Sequence, residues 1–192
     1  MEVFMTVVKS ILLVGVGGQG TILASKILTQ GLLDEGYDVK MSEIHGMSQR
    51  GGSVTTQVRY GSKVHSPIIG EGTADILVAF EEMEAYRFLP LLRPDGRVLV
   101  NNYRIPSAPI LSGQQDYPEG LKEEIMQKAD TTVIDAAGIA VRIGMPKAMN
   151  LVLLGALIRA MNLENIHWET ILRGNVKPEF LERNLNALQA GI

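Results

Sequence analysis

Gly15, Gly17 and Gly20 stand in the run KSILLVGVGGQG, residues 9–20, between a short apolar stretch and a stretch of helical periodicity. This arrangement constrains the fold more tightly than any other feature of the chain. Residues 11–14 are continuously apolar, as suits a strand buried on both faces of a parallel sheet. Over residues 21–33, Ile22, Leu23, Ile27 and Leu28 recur at helical spacing, and Gly36 follows as a stop. The order is strand, tight turn, helix. The three glycines carry the Gly-x-Gly-x-x-Gly spacing in the context that dinucleotide binding requires.

Further strands follow from the same logic. YDVKMSE, residues 37–43, reads as a strand, and SVTTQVRYG, residues 53–61, places Val54, Thr56 and Val58 on one side with a period of two. ADILVAF at 74–80 is an apolar strand, and the acidic start of EEMEAYRFLPLL favours a helix there. Residues 94–96, PDG, predict a turn into the strand RVLVNN. Residues 105–118 hold three prolines and two serines and read as an irregular loop. Helices are expected over 119–128, over PKAMNLVLLGALIRAMN with Pro146 near its first turn, and over KPEFLERNLNALQAG; TTVIDA is a last strand. Alternating strands and helices predict a Rossmann-like, layered α/β domain with a largely parallel sheet and helices on both faces. Ligands in such sheets bind beyond the carboxyl ends of the strands.

Two readings of the glycine turn stand together. In one, Gly15, Gly17, Gly18, Gln19 and Gly20 bring the backbone and a helix N-terminus to an anion such as a phosphate. In the other, the glycines only let strand and helix pack closely. A dinucleotide also needs an acidic residue about 20 residues onward to hold the ribose, and Glu43 is the one that fits. A freestanding dinucleotide-binding oxidoreductase is therefore the alternative reading of the chain.

The second candidate segment is HGMSQRGGSV. Arg50 offers a fixed cation with a fork of donors, Gln49 and Ser48 add neutral hydrogen-bonding groups, and Gly51 and Gly52 permit positive φ or close backbone approach. Together with His45, Gly46 and Met47 they suit a phosphate, a carboxylate or the backbone of a partner. His45 has no carboxylate and nucleophile arranged around it, so a structural role is expected for it. No catalytic residue and no metal ligand is assigned.

Composition narrows the function classes. With 192 residues, 46% of them hydrophobic and 20% charged, the chain is expected to fold as one domain over residues 1–192. Its formal charge of −3 and the lack of basic blocks give no nucleic-acid footprint. No cysteine is present, so disulfides, thiolate catalysis and cysteine-held iron–sulfur clusters do not belong to this chain. The longest apolar run, LVLLGALI at 151–158, falls short of the ~20 residues of a membrane span and reads as a buried helix. With no signal-peptide pattern, a cytoplasmic location is expected. The run EEMEAYR is expected to form the exposed first turns of a helix. Met145, Met149 and Met161 are expected to fill gaps in the core, and Trp168 either packs or anchors an interface.

The segments GVGGQG, SEIHGMSQRGGSVTTQVRYG, SPIIGEGTADILVAFEEMEAYR and NVKPEFLERNLNALQAG together resemble the small subunits of indolepyruvate:ferredoxin oxidoreductases. More broadly, the chain is similar to the gamma subunits and domains of the 2-oxoacid:ferredoxin oxidoreductases, from about residue 9 to the C-terminus. Relatives acting on pyruvate or 2-oxoglutarate tend to carry Gly-Pro-Glu before the Arg-Gly pair, where this chain has GMSQ at 46–49. The resemblance implies oxidative decarboxylation of a 2-oxoacid with coenzyme A as co-substrate and ferredoxin as electron acceptor. It also implies thiamine diphosphate and [4Fe-4S] clusters. This chain has neither a Gly-Asp-Gly thiamine signature nor cysteines, so both would be held by a large partner subunit, through which ferredoxin would be reached. A homo-oligomer is a further expectation.

Overall fold

The computed structural model describes residues 7–46 and 51–192. Six strands form one sheet: β1 (Lys9–Val16), β2 (Asp38–His45), β3 (Ser53–Gly61), β4 (Ala74–Ala79), β5 (Leu92–Asn101) and β6 (Asp130–Ile134), in the order β2-β3-β1-β4-β5-β6. The pairs β1–β4, β4–β5 and β5–β6 are parallel. β3 runs antiparallel to both β2 and β1, with Gly15 opposite Val54 and His45 opposite Val54 on the other side. The sheet is therefore mixed but mostly parallel, a Rossmann-like layering as expected, with β3 as the antiparallel departure. The cause is the short connection: residues 46–52 are too few for the crossover of a dozen or more residues that a parallel return needs. Five strands thus share a direction, and the glycine turn and the β2–β3 connection lie on the same edge, at the strands' carboxyl ends.

Helices cover both faces. On one, α1 (Thr21–Asp34), α5 (Ala136–Arg142), α6 (Met149–Ala160), α7 (Trp168–Asn175) and α8 (Pro178–Gly191) enclose a core with Ile11, Leu13, Val58, Ile76, Leu151 and Leu172. On the other, α2 (Glu82–Phe88) and α4 (Leu121–Lys128) pack with Leu12, Val14, Leu77, Val98 and Ile125. The strand run 11–14 is buried throughout, as its unbroken apolarity requires. Val54, Thr56 and Val58 share one face, and all three are buried.

Several expectations change. The 105–118 stretch contains the one-turn helix α3 (Ala108–Leu111), and β5 runs through Pro94–Gly96 instead of starting after it. The register irregularity in β4–β5 between Ala74 and Ile76 absorbs that passage. α5 and α7 were not legible: each is only one or two turns long. α5 opens straight off β6, with the Asp135 side chain accepting from the Gly138 N–H at 3.0 Å. Pro146 begins a 3₁₀ turn, Pro146–Ala148, that runs into α6. Trp168 packs: its Nε1 donates to the Leu163 carbonyl at 2.9 Å, and its ring lies where a Cβ on Gly31 would stand. Met145, Met149 and Met161 pack, partly buried, at the margin of the larger core.

Candidate functional site

The glycine turn is built around one side chain. Gln19 is buried; its Oε1 accepts from the Val16 N–H at 2.7 Å and its Nε2 donates to the Phe80 carbonyl at 2.8 Å. It closes the turn and ties the end of β1 to the end of β4. Asn101, also buried, donates to the same Phe80 carbonyl at 3.2 Å and accepts from the Ala136 N–H at 3.2 Å. Across the top of α1, Asn150 Nδ2 donates to the Gly20 carbonyl at 3.1 Å. A Cβ at Gly15 would stand 2.8 Å from Gln19 Oε1 and 2.9 Å from the Phe80 Cβ, so only glycine fits. Gly18 has φ +101° with open space around it, where the demand is conformational. α1 starts at Gly20 without a side-chain cap, leaving its first N–H groups to other partners.

The β2–β3 hairpin meets this turn directly. The Gly17 N–H donates to the Gly52 carbonyl at 2.9 Å, and the Gly46 N–H donates to the Ser53 carbonyl at 3.3 Å. Between turn and hairpin lies a pocket of about 410 Å³. Gly17, Gly18 and Gly20 supply one wall and His45, Gly46 and Val54 another, while Thr21 and Ile22 of α1 complete the lining. The structure thus brings together five of the residues expected from sequence and adds three. Ile22, one of the apolar residues that recur at helical spacing, is 54% exposed and belongs to this pocket. Gly15 and Gln19 lie behind the turn as its support. Gly51, with φ +78°, and Gly52 form the return toward β3. Met47, Ser48, Gln49 and Arg50 lie outside the described residues.

Glu43 is placed elsewhere. It accepts from Ser25 Oγ at 3.3 Å and stands opposite Thr56 on β2. Because β3 intervenes, β2 is two strands from β1, about 10 Å away at ordinary strand spacing. A ribose-holding acid needs β2 beside β1, so this sheet order departs from the dinucleotide arrangement. A second pocket of about 550 Å³ lies on the other side of Gly18–Gly20, where Tyr103, Lys147 and Asn150 contribute. The glycine turn is a ridge between two hollows.

The acidic run corrects an expectation. Glu81, Glu82 and Glu84 are buried, at 1%, 1% and 4% exposure; they are not a solvated helix start. Glu81 caps α2 by accepting from the Glu84 N–H at 3.0 Å, and its other oxygen accepts from the Ile105 N–H at 3.2 Å and from the Tyr117 hydroxyl. Glu82 pairs with Arg104 at 2.8 Å and Lys122 at 3.2 Å. Glu84 accepts from Ser53 Oγ at 2.5 Å and pairs with Arg87 at 3.4 Å. Burial pushes the Glu84 carboxyl above its ordinary range, against the Ser53 hydrogen bond and Arg87, which lower it, while Glu81 adds to the rise. Burial, together with its bond to Glu81, likewise raises the Tyr117 phenol. Arg104 lies over the Tyr117 ring, 5.0 Å from its centroid.

Among the described residues no three or more His, Asp or Glu side chains are grouped to hold a metal ion, and no helix is long and apolar enough to cross a membrane. With no cysteine in the sequence, the donor set does not fit an iron–sulfur cluster.

Residues 10–192 match the family described as pyruvate ferredoxin/flavodoxin oxidoreductase. The chain is 34% identical over 189 residues to the indolepyruvate oxidoreductase subunit IorB of Pyrococcus horikoshii, covering 95% of this chain and 94% of that one. The fold is shared with the pyruvate oxidoreductase subunit PORC of Thermotoga maritima, at TM-score 0.72 and 23% identity over 96% and 94% of the two chains. It is shared as well with the 2-oxoglutarate:ferredoxin oxidoreductase of Magnetococcus marinus, at TM-score 0.71 and 21% identity; there the match covers 96% of this chain and 30% of that one.

Proposed function

The chain is a small, gamma-type member of the pyruvate ferredoxin/flavodoxin oxidoreductase family, and on that premise we propose that it serves an oxidoreductase of the indolepyruvate type. The reaction converts an aryl pyruvate, coenzyme A and oxidised ferredoxin to an aryl-acetyl-coenzyme A, carbon dioxide and reduced ferredoxin. Thiamine diphosphate and the iron–sulfur clusters belong to a larger partner subunit, since this chain has no cysteine with which to hold a cluster. The chain contributes structure and binding around chemistry carried elsewhere.

The observation that carries this reading is the 34% identity with an indolepyruvate oxidoreductase subunit over 95% of the chain, supported by residues 46–49, where GMSQ stands in place of the Gly-Pro-Glu that relatives acting on pyruvate or 2-oxoglutarate tend to carry. The carboxyl edge supports the assignment of a face: glycine turn, hairpin and pocket form one surface there. That surface meets the large subunit or the coenzyme A, with Arg50 pairing a phosphate or a carboxylate.

The test begins with the tagged chain as bait under anaerobic conditions in its native host. Recovery of a large, brown, thiamine-binding subunit is expected, and the reconstituted pair should reduce ferredoxin faster with an aryl pyruvate than with pyruvate or 2-oxoglutarate. A pair that assembles and turns over none of the three acids sinks the enzymatic assignment; preference for 2-oxoglutarate sinks the indolepyruvate assignment alone. Arg50→Ala should weaken subunit association or raise the apparent KM for coenzyme A. An assembled variant with unchanged kinetics removes Arg50 from the binding surface.

A further inference from the structure

Ser53 is bound on two sides. Its backbone carbonyl accepts the Gly46 N–H that closes the mouth of the hairpin connection, and the preceding carbonyl, that of Gly52, accepts the Gly17 N–H of the glycine turn. Its side chain leaves the strand on the other face. Residues alternate along β3, so Ser53 points with Gln57 and away from Val54, which lines the pocket. There its Oγ donates to Glu84 Oε2 at 2.5 Å. Glu84 is 4% exposed on α2, across the sheet from the pocket, and is not one of the pocket's lining residues.

We infer that Glu84 is a positioning residue for the pocket: through Ser53 it fixes the mouth of the β2–β3 connection against the glycine turn from the opposite face of the sheet. A buried carboxylate is costly to place unless it is hydrogen-bonded or paired, and Glu84 has Ser53 and Arg87 for this. Its neighbours divide that work. Glu81 and Glu82 hold the segment after β5 through Ile105, Tyr117, Arg104 and Lys122, and Glu84 alone of the three reaches the hairpin. If Glu84 were replaced by a group unable to accept, Ser53 would lose its anchor, and the bonds from Gly46 and Gly17 would be held only by the strand ladder. The local structure is an assembly whose parts share one pivot, so removing either end of the Glu84–Ser53 bond should have the same effect as removing both.

The inference deepens the reading proposed above and rests on it only for the kinetic consequence. The first experiment is amide hydrogen exchange on the full chain, read at Gly17 and Gly46. Glu84→Ala and Ser53→Ala should each speed exchange at these two amides about tenfold, the double variant should add nothing further, and Glu84→Gln, which can still accept from Ser53, should restore the parent rates. Unchanged rates at both amides overturn the inference. So does a uniform acceleration through β1 and β4, which would mean general loss of stability. If Glu84→Ala fails to fold, Ser53→Ala decides the matter alone.

The second experiment uses the chain assembled with its thiamine-binding subunit. Glu84→Ala and Ser53→Ala should raise the apparent KM for coenzyme A severalfold, leave kcat within about twofold, and be rescued by Glu84→Gln. Faster exchange with an unmoved KM in an active complex overturns the positioning role. Absence of turnover in the parent complex sinks the proposed function instead and leaves the exchange result to decide the positioning role.

Discussion

Two segments on the same sheet edge are held in opposite ways. The glycine turn between β1 and α1 is fixed by neutral groups at short range: Gln19 bonds three residues back, and the space a Cβ would occupy at Gly15 is already filled. The excursion between β5 and α4, residues 102–120, contributes almost nothing to the core; Leu111 at its tip is 75% exposed. It is held instead by ions and phenol: Glu81 to Tyr117 and Glu82 to Arg104, with Lys122 at the start of α4 also on Glu82. The first is locked by shape, which salt does not screen. The second is locked at two buried carboxylates, and one of them, Glu82, has cationic partners that stay partly in water, so it responds to salt.

The largest effect expected is from breaking the shape lock. Gly15→Ala forces Gln19 or Phe80 to move and should cost about 1–3 kcal/mol, read as a fall in the urea midpoint without a change in slope. Next, Glu82→Gln removes the charge that faces Arg104 and Lys122. These are 38% and 25% exposed, so water takes up the freed cations and about 1 kcal/mol is expected. The sharper readout is limited proteolysis, with new cuts in residues 102–120 and none near the glycine turn. A loss as large as that of Gly15→Ala would erase the contrast between the two locks.

Smaller again is a pH effect at the link between the two regions. Glu84 faces Arg87 and Glu81 on its own helix and Ser53 on β3. A carboxyl raised in the folded state favours folding fully below its unfolded value and loses that contribution as pH rises through the raised one. Glu84→Gln should therefore gain stability on its parent as pH climbs through and above the ordinary carboxylate range; a gap that stays constant or closes contradicts the raised carboxyl. The smallest effect belongs to the tip: Leu111→Ser should move stability by less than ~0.5 kcal/mol. A loss above ~1 kcal/mol there would show that apolar packing holds the excursion after all.

The same contrast explains what could be read from the sequence. The glycine turn was legible because its determinants lie within six residues of one another, and the α/β layering because β1, α1 and α6 are long or strongly apolar. Helices on both faces followed from that alternation. The antiparallel insertion of β3 was not drawn, although the brevity of residues 46–52 contained it. Glu81, Glu82 and Glu84 were misread as solvated because their partners are remote in sequence: Ser53 is 31 residues from Glu84, Tyr117 is 36 from Glu81 and Arg104 is 22 from Glu82. A local window sees three charges and infers water. The exposure of Ile22 was not legible for the converse reason, since helical periodicity gives a side chain's angle but not whether anything covers it there. Thr21 and Val54, the other unforeseen lining residues, carry no chemical signature that a sequence pattern would single out.

The central place of β1 has a consequence for the way the chain is made. β1 is synthesised first, yet both strands that flank it, β3 and β4, come later, and 63 residues separate Val16 from Ala79. At ordinary elongation rates that interval is roughly 3–13 s. For all of it, the strand most completely enclosed in the finished protein keeps at least the edge that β4 will cover open. The strand that organises the sheet is thus also the one most exposed to wrong pairing during birth, and the hairpin of β2 and β3, which can close on itself before meeting β1, arrives as a ready-made cover for one of its sides.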